Sequence, residues 1–389
     1  MADSENLQEQ IIKLSQIGIA LSSEQNTGVL LWKILRQMRE FTHAEAGTLY
    51  TRQDDHLVFA VAQNDALSRR MSGQTGRRFL GKSVALGNTS MAGHVGISGE
   101  ILNIPDVYEL PPDSRFTFNK EFDTKNAYRT KSVLLVPMKD PDGNVLGVVQ
   151  LINALDPEGT PRTFDPSIEP LVLSLASQAA VSLRNARLTE ALKEAYYDTI
   201  FRLSVAAEFR DEDTAAHIKR MSNYSALIAK RLGWDEIQAE LMLYASPMHD
   251  IGKIGIRDAV LLKPAKLTPE EFEEMKQHTV YGAKILANAK APLMQMSEVI
   301  ALSHHEKYDG SGYPKALKGE KIPIEGRIVA LADVFDALTS KRCYKEAWPV
   351  EKAVDLIRDG SGKHFDPAVV AAFEKALGEL LIVRDKYKT

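Results

Sequence analysis

Apolar residues recur at helical spacing over residues 11–41: Ile12, Leu14, Ile17 and Leu21, then Leu30, Leu31, Ile34, Leu35 and Met38. The polar run SSEQNTG separates the two groups, so the pattern predicts two amphipathic helices. Strand-like stretches follow, AGTLYTR and HLVFAVA, and then a loop-rich middle. In SVLLVPMKDPDGNVLGVVQLINA, two β-rich runs flank Asp140-Pro141-Asp142-Gly143, which predicts a hairpin. The first half therefore reads as helices around an antiparallel sheet.

From Asp165 to about Phe209 the chain has no glycine, and its prolines lie only at the start. Ile168, Leu171, Val172, Leu175, Ala179, Leu183 and Ala186 form one stripe, which Leu188, Leu192, Tyr196, Ile200 and Leu203 continue with an offset. An uncapped pattern of this length predicts a long connecting helix over residues 165–205 that pairs with a second copy as a dimer coiled coil. Two ordinary core helices, one per domain, are the alternative. The tripeptide Glu190-Ala191-Leu192 is ordinary helix sequence and carries no chemistry.

Composition narrows the class. No apolar run approaches the roughly 18 residues that span a bilayer, and the opening MADSENLQEQ is acidic and polar, unlike a secretory signal. Cys343 is the lone cysteine, which excludes an internal disulfide and fits a reducing cytoplasm. A net charge of −4 leaves no nucleic-acid footprint. Neither a membrane nor a nucleic-acid partner is expected.

The chemistry concentrates in the second half. Of nine histidines, six (His217, His249, His278, His304, His305 and His364) follow residue 200. RDEDTAAHIKRM places Asp213 and His217 four residues apart, on one face of a helix. YASPMHDIGKIG supplies His249, Asp250, Gly252 and Lys253, and MKQHTVYG supplies His278. In SHHEKYDGSGYP two adjacent histidines, His304 and His305, precede a glycine-rich loop. Asp333, flanked by VALA and VF, reads as a buried charge that needs a partner or a metal, with Asp336 one turn later. Asp213, His217, His249, Asp250, His278, His304, His305 and Asp333 offer up to eight nitrogen and oxygen ligands and no thiolate. That is too many for one ion and suits two or three divalent cations. The His/Asp mixture favours iron or manganese over structural zinc, with catalytic zinc left open. Any one of these histidines alone would read as surface or core. His364, in GKHFDP, reads as part of a structural turn and is left out of the site.

Two family resemblances follow from these residues. The stretch FNKEFDTKNAYRTKSVLLVPMKDPDGNVLGVVQLINA and the helix after Phe164 resemble a GAF domain, placed over residues 1–185. Asn153, Phe164 and Glu169 match the signature of cyclic-nucleotide phosphodiesterase GAF domains, but Ala154 and Ile168 replace its Lys and Asp. The charged pair is thus missing, which weighs against cyclic-nucleotide binding. The GAF domain is expected to bind a small ligand that the sequence does not name, the alternative being a domain that only dimerises.

Residues 195–389 resemble an HD-GYP domain, through AAEFRDEDTAAH, HDIGKIGI, His278, HHEKYDGSGYP, ALADVFDALTSKRCYK and HFDP. That resemblance implies an all-α helical domain of the HD superfamily that hydrolyses cyclic di-GMP to pGpG, GMP or both. It implies that His249, Asp250 and Lys253 carry the chemistry. Lys253, Arg342 and Lys345 would neutralise phosphates, and Gly312, Tyr313 and Pro314 would meet a guanine base. Asp336 would lie near the ligand, and Asp213 would mark a third metal. The architecture expected is multidomain: an N-terminal α/β GAF domain with an antiparallel sheet, a long connecting helix and a C-terminal helical domain. A cyclic di-GMP receptor with negligible turnover and a hydrolase of another cyclic dinucleotide are the alternatives.

Overall fold

The structure is a computed structural model that describes residues 26–70, 81–209, 215–340 and 346–388. Asp213, Arg342 and Lys345, and the first of the two expected N-terminal helices, lie outside the described residues. The chain forms two compact units, Met1–Leu192 and Lys193–Thr389.

In the first unit, α1 (Thr27–Thr42) starts where Asn26 Oδ1 accepts the Val29 amide and ends at His43 in the left-handed region. The sheet comprises β1 (Ala44–Gln53), β2 (His56–Asn64), β3 (Ser83–Ala85), β4 (Leu102–Ile104), β5 (Val133–Lys139), β6 (Val145–Leu155) and β7 (Pro161–Arg162). Its order is β3-β2-β1-β6-β5-β4, with β7 paired to β6, and every pairing is antiparallel. Three helices lie between strands: α2 (Asp65–Arg70), α3 (Met91–Ser98) and α4 (Glu121–Asn126). The β5–β6 hairpin turns at Asp140–Gly143 as expected: Asp140 caps the turn by accepting the Asp142 and Asn144 amides, and Gly143 takes φ 84°.

Side-chain alternation along β5 divides the core. Leu134, Val136 and Met138 pack with α1 and with Val172, Leu175, Ala179 and Leu183 of the closing helix. Val133 and Leu135 face the other way, towards Met91 and Val95 of α3. The signature residues serve as pins. Asn153, 1% exposed, donates to Glu45 and to the Arg129 carbonyl, and Glu169 accepts from Asn103.

A 40-residue helix, α5 (Glu169–Glu208), runs out of the first unit and into the second. Its early turns are buried in the sheet's core. Its last turns bury Ile200, Ala207 and Glu208, and Tyr197 stacks on Tyr244 at 3.5 Å. Between them Leu188, Leu192 and Tyr196 are exposed.

The second unit is helical: α6 (Ala215–Arg231), α7 (Glu236–Ala245), α8 (Asp258–Leu261), α9 (Pro269–Leu286), α10 (Pro292–Ser303), α11 (Ile324–Thr339), α12 (Val350–Asp359) and α13 (Pro367–Lys386). Its core is one continuous cluster that includes Met221, Tyr224, Met242, Ile300, Phe335, Ile357 and Phe373. The start of α9 is written locally: Thr268 and Glu271 form a reciprocal capping box, with Pro269 in the first turn. Among the described residues no helix is long and apolar enough to cross a membrane.

Candidate metal centre

Four elements bring the histidines together. His217 comes from α6 and His278 from α9. His304 and His305 follow α10, and His249 and Asp250 sit between two short 3-10 turns, Ser246–Met248 and Ile251–Gly255. Gly252 allows the second turn to lie on α9: a Cβ there would meet the His278 carbonyl oxygen at 1.8 Å. Only glycine permits that approach, which puts Asp250 next to His278.

The histidines share one orientation. Nδ1 of His249 donates to the Ser246 carbonyl at 3.1 Å, Nδ1 of His278 to Met275 at 2.7 Å, and Nδ1 of His304 to Ile300 at 3.1 Å. Each Nδ1–H is thus spent on a backbone carbonyl, and each Nε2 turns inward, the arrangement that fixes a ligating imidazole. The Nε2 atoms of His278 and His304 lie 3.2 and 3.4 Å from Asp250 Oδ1, and that of His249 lies 3.4 Å from Oδ2. All three nitrogens and Asp250 Oδ1 are buried, and among the described residues none is aligned with a hydrogen-bond partner. Four convergent buried atoms of this kind are costly unless something binds them. A divalent cation fits: the donors are neutral nitrogens and a carboxylate oxygen, with no thiolate.

The electrostatics agree. Burial holds His249 neutral, lowering its pKa to about 3, and pushes His305 well below the usual histidine value. Burial opposes ionisation of Asp250, yet the Lys253 ammonium, 2.8 Å away, and the surrounding imidazoles keep it a carboxylate far below the ordinary range. His217 differs. Burial disfavours its cation, but Asp336 at Nδ1, 2.8 Å away, prevails and raises its pKa to about 10. A cation at Nε2 would compete with that proton.

Two groups of ligand atoms result, each within 4.8 Å of one another: Asp250, His278, His304 and His305, and Glu208, His217 and His249. Asp333 belongs to neither; its Oδ1 lies 3.7 Å from His217 Nε2. Its side chain is 24% exposed, so the expectation of a buried charge at Asp333 is corrected. The buried acid of α11 is Asp336, 1% exposed. One turn apart on the same face of α11, both carboxylates approach His217, Asp333 at Nε2 and Asp336 at Nδ1, and the core takes the second. The oxygens of Asp336 are held by His217 Nδ1 and by Arg220 Nε and Nη2 at 2.6 and 2.9 Å. It fixes the tautomer of His217.

Glu208 escaped the sequence reading. It stands nine residues before His217, a separation that no helical face relates, and only the packing of α5 against α6 brings the two together.

The loop after His305 is closed by Glu306, 3% exposed, whose two oxygens accept the Lys315 and Leu317 amides at 2.7 and 2.9 Å. Gly312 passes against the chain at the loop's start, where a Cβ would meet the Lys307 nitrogen at 2.2 Å. Tyr313 donates its amide to the His305 carbonyl, and its ring centroid lies 4.8 Å from that imidazole. Lys276 Nζ sits 5.6 Å from the Tyr313 ring centroid. The GKHFDP segment supports the loop from below, its Lys363 and His364 carbonyls accepting the Asp309 and Tyr308 amides.

Comparison with known proteins places both units. Residues 27–183 match the GAF domain family and residues 202–369 the HD domain family. A cyclic di-GMP phosphodiesterase of Thermotoga maritima is 47% identical over 197 residues, 50% of this chain and 54% of that protein. The cyclic di-GMP phosphodiesterase response regulator RpfG of Xanthomonas campestris pv. campestris is 42% identical over 59% of each chain. A 3'3'-cGAMP-specific phosphodiesterase 2 of Vibrio cholerae is 41% identical over 52% of this chain and 39% of that protein. The chain spans about half the length of the curated relatives it matches.

Proposed function

We propose that this chain, a GAF domain followed by an HD-GYP domain, is a metal-dependent phosphodiesterase that hydrolyses cyclic di-GMP to pGpG, GMP or both under control of the GAF domain. The carrying observation is the convergence of three unpartnered imidazole nitrogens on the Asp250 carboxylate, those of His278 and His304 at Oδ1 and that of His249 at Oδ2. Relatives named as cyclic di-GMP phosphodiesterases support the substrate.

Bound divalent cations, iron or manganese on this donor set, would supply Lewis acidity to the phosphodiester and an acidified water. The remaining work falls to side chains. Asp250, His278, His304 and His305 would hold one ion, with His217, His249 and Asp333 on the other side of the centre. Asp336 holds the His217 proton on Nδ1, which leaves Nε2 as the ligand atom. Lys253 keeps Asp250 ionised and places a positive charge beside the position a phosphate would take. Arg342 and Lys345 would add further charge, and Tyr313 on its closed loop would offer an aromatic surface to a guanine base. The protein would act in the cytoplasm as a homodimer, with an unidentified small ligand in the GAF domain.

The test supplies Fe²⁺ or Mn²⁺ to anaerobically purified full-length protein and measures turnover on a panel of cyclic dinucleotides. Metal-dependent linearisation of cyclic di-GMP, abolished by chelation, is expected. Preferential turnover of 3'3'-cGAMP would move the assignment to the hybrid substrate. Binding of cyclic di-GMP without product over hours would make the protein a receptor.

A further inference from the structure

The metal ligands read from the sequence leave out one acid that the fold delivers to the centre. Glu208 ends α5, is 1% exposed, and has its Oε1 4.0 Å from His249 Nδ1. Its carboxylate, an imidazole nitrogen of His217 and one of His249 lie within 4.8 Å of one another, and all three residues are buried. Two further observations mark this group as a place for an ion. His249 Nε2, on a residue with 0% exposure, has no hydrogen-bond partner among the described residues and lies 3.4 Å from Asp250 Oδ2, so this imidazole stands between the two groups. His217 has Nδ1 committed to Asp336, so Nε2 is its donor atom.

We propose that Glu208 is the carboxylate ligand of a cation position on the His217 side of the centre, distinct from the cradle of Asp250, His278, His304 and His305. The inference rests on the reading of this domain as metal-dependent and adds a ligand to it. The chemistry is that of a hard divalent cation, which favours a carboxylate oxygen over a purely imidazole site. It also gives each group one buried anion: Asp250 among three imidazoles, and Glu208 between two. A buried carboxylate is tolerated when a cation or strong donors compensate it. Asp333 lies near the same histidine but is part-exposed, and it belongs to neither group.

Metal binding tests this directly. Wild type, Glu208→Gln and Glu208→Asp are stripped of metal and titrated with Mn²⁺ alone, and bound manganese is counted by mass spectrometry and electron paramagnetic resonance. Glu208→Gln should weaken one Mn²⁺ by about 10–100-fold and leave the cradle ion in place. Glu208→Asp, which keeps the carboxylate, should retain the full count. Wild-type stoichiometry and affinity in Glu208→Gln would overturn the assignment. Crystals of Mn²⁺-loaded wild type give a second reading independent of any variant's folding. An anomalous peak within about 2.2 Å of a Glu208 oxygen supports the proposal, and peaks confined to the Asp250 cradle overturn it. Neither measurement uses substrate, so this ligand assignment stands or falls apart from the phosphodiesterase reading.

Discussion

Asp336 shows how a single residue acquires a role that its neighbours in sequence do not reveal. It takes one hydrogen bond from His217 and two from Arg220, all within the core. Asp336→Asn keeps the shape but removes the charge, so Arg220 is left buried without its counterion and His217 loses its fixed tautomer. Breaking a buried pair from one side costs about 3–5 kcal/mol. Chemical denaturation should show a loss of that size, together with weaker metal binding in the titration. Glu306 makes a different case. Its two backbone bonds close the loop that carries Tyr313 without touching the histidine nitrogens. Glu306→Ala should therefore raise KM several-fold at unchanged metal content, while Glu306→Gln, with one acceptor oxygen left, recovers part of the loss. Loss of metal in Glu306→Ala would show that the loop and the metal centre are not separable.

At the scale of the element, α5 is the informative case. Its ends are buried in two different cores, yet Leu188, Leu192, Tyr196 and Leu203 are 57%, 72%, 39% and 51% exposed. Their spacings of four, four and seven residues put them along one side of the helix, the pattern of a seam that pairs with another helix. A second copy of the same helix is the partner proposed above. Leu192→Glu places a charge in the middle of that seam, at an exposed position that belongs to neither core cluster. Light scattering at tens of micromolar should report a dimer for wild type and a monomer for Leu192→Glu, with the monomer retaining its bound metal. A monomeric wild type would leave the stripe without its proposed partner.

For the whole molecule, the two units have separate hydrophobic cores, and the histidine-rich groups lie in only one of them. Metal should then stabilise one unit alone. An ion at a hundred times its Kd contributes about 2.7 kcal/mol to the state that binds it. Calorimetry of the full chain should resolve two transitions. Chelation should lower the midpoint of the second unit's transition by several degrees and leave that of the first unit unchanged. An equal shift of both would mean that the units unfold as one.

Much of the architecture was legible along the chain because it is local. The β5–β6 hairpin follows from Asp140-Pro141-Asp142-Gly143 between two apolar runs, α9 from its capping box, and α5 from forty residues without an internal breaker. The histidines and Asp250 were legible because adjacent or closely spaced polar residues stand in otherwise ordinary helical sequence. What tertiary structure alone decided is which atoms meet. Asp333 and Asp336 read nearly alike in sequence, and packing of α11 turned the second into the core, where it could hold His217 and Arg220. Glu208 and His217 lie on successive helices in no common register, so no periodicity joins them. They come together because burial of α5 and α6 in one core puts the end of one beside the start of the other, and such contacts depend on the whole packing and not on the spacing of residues.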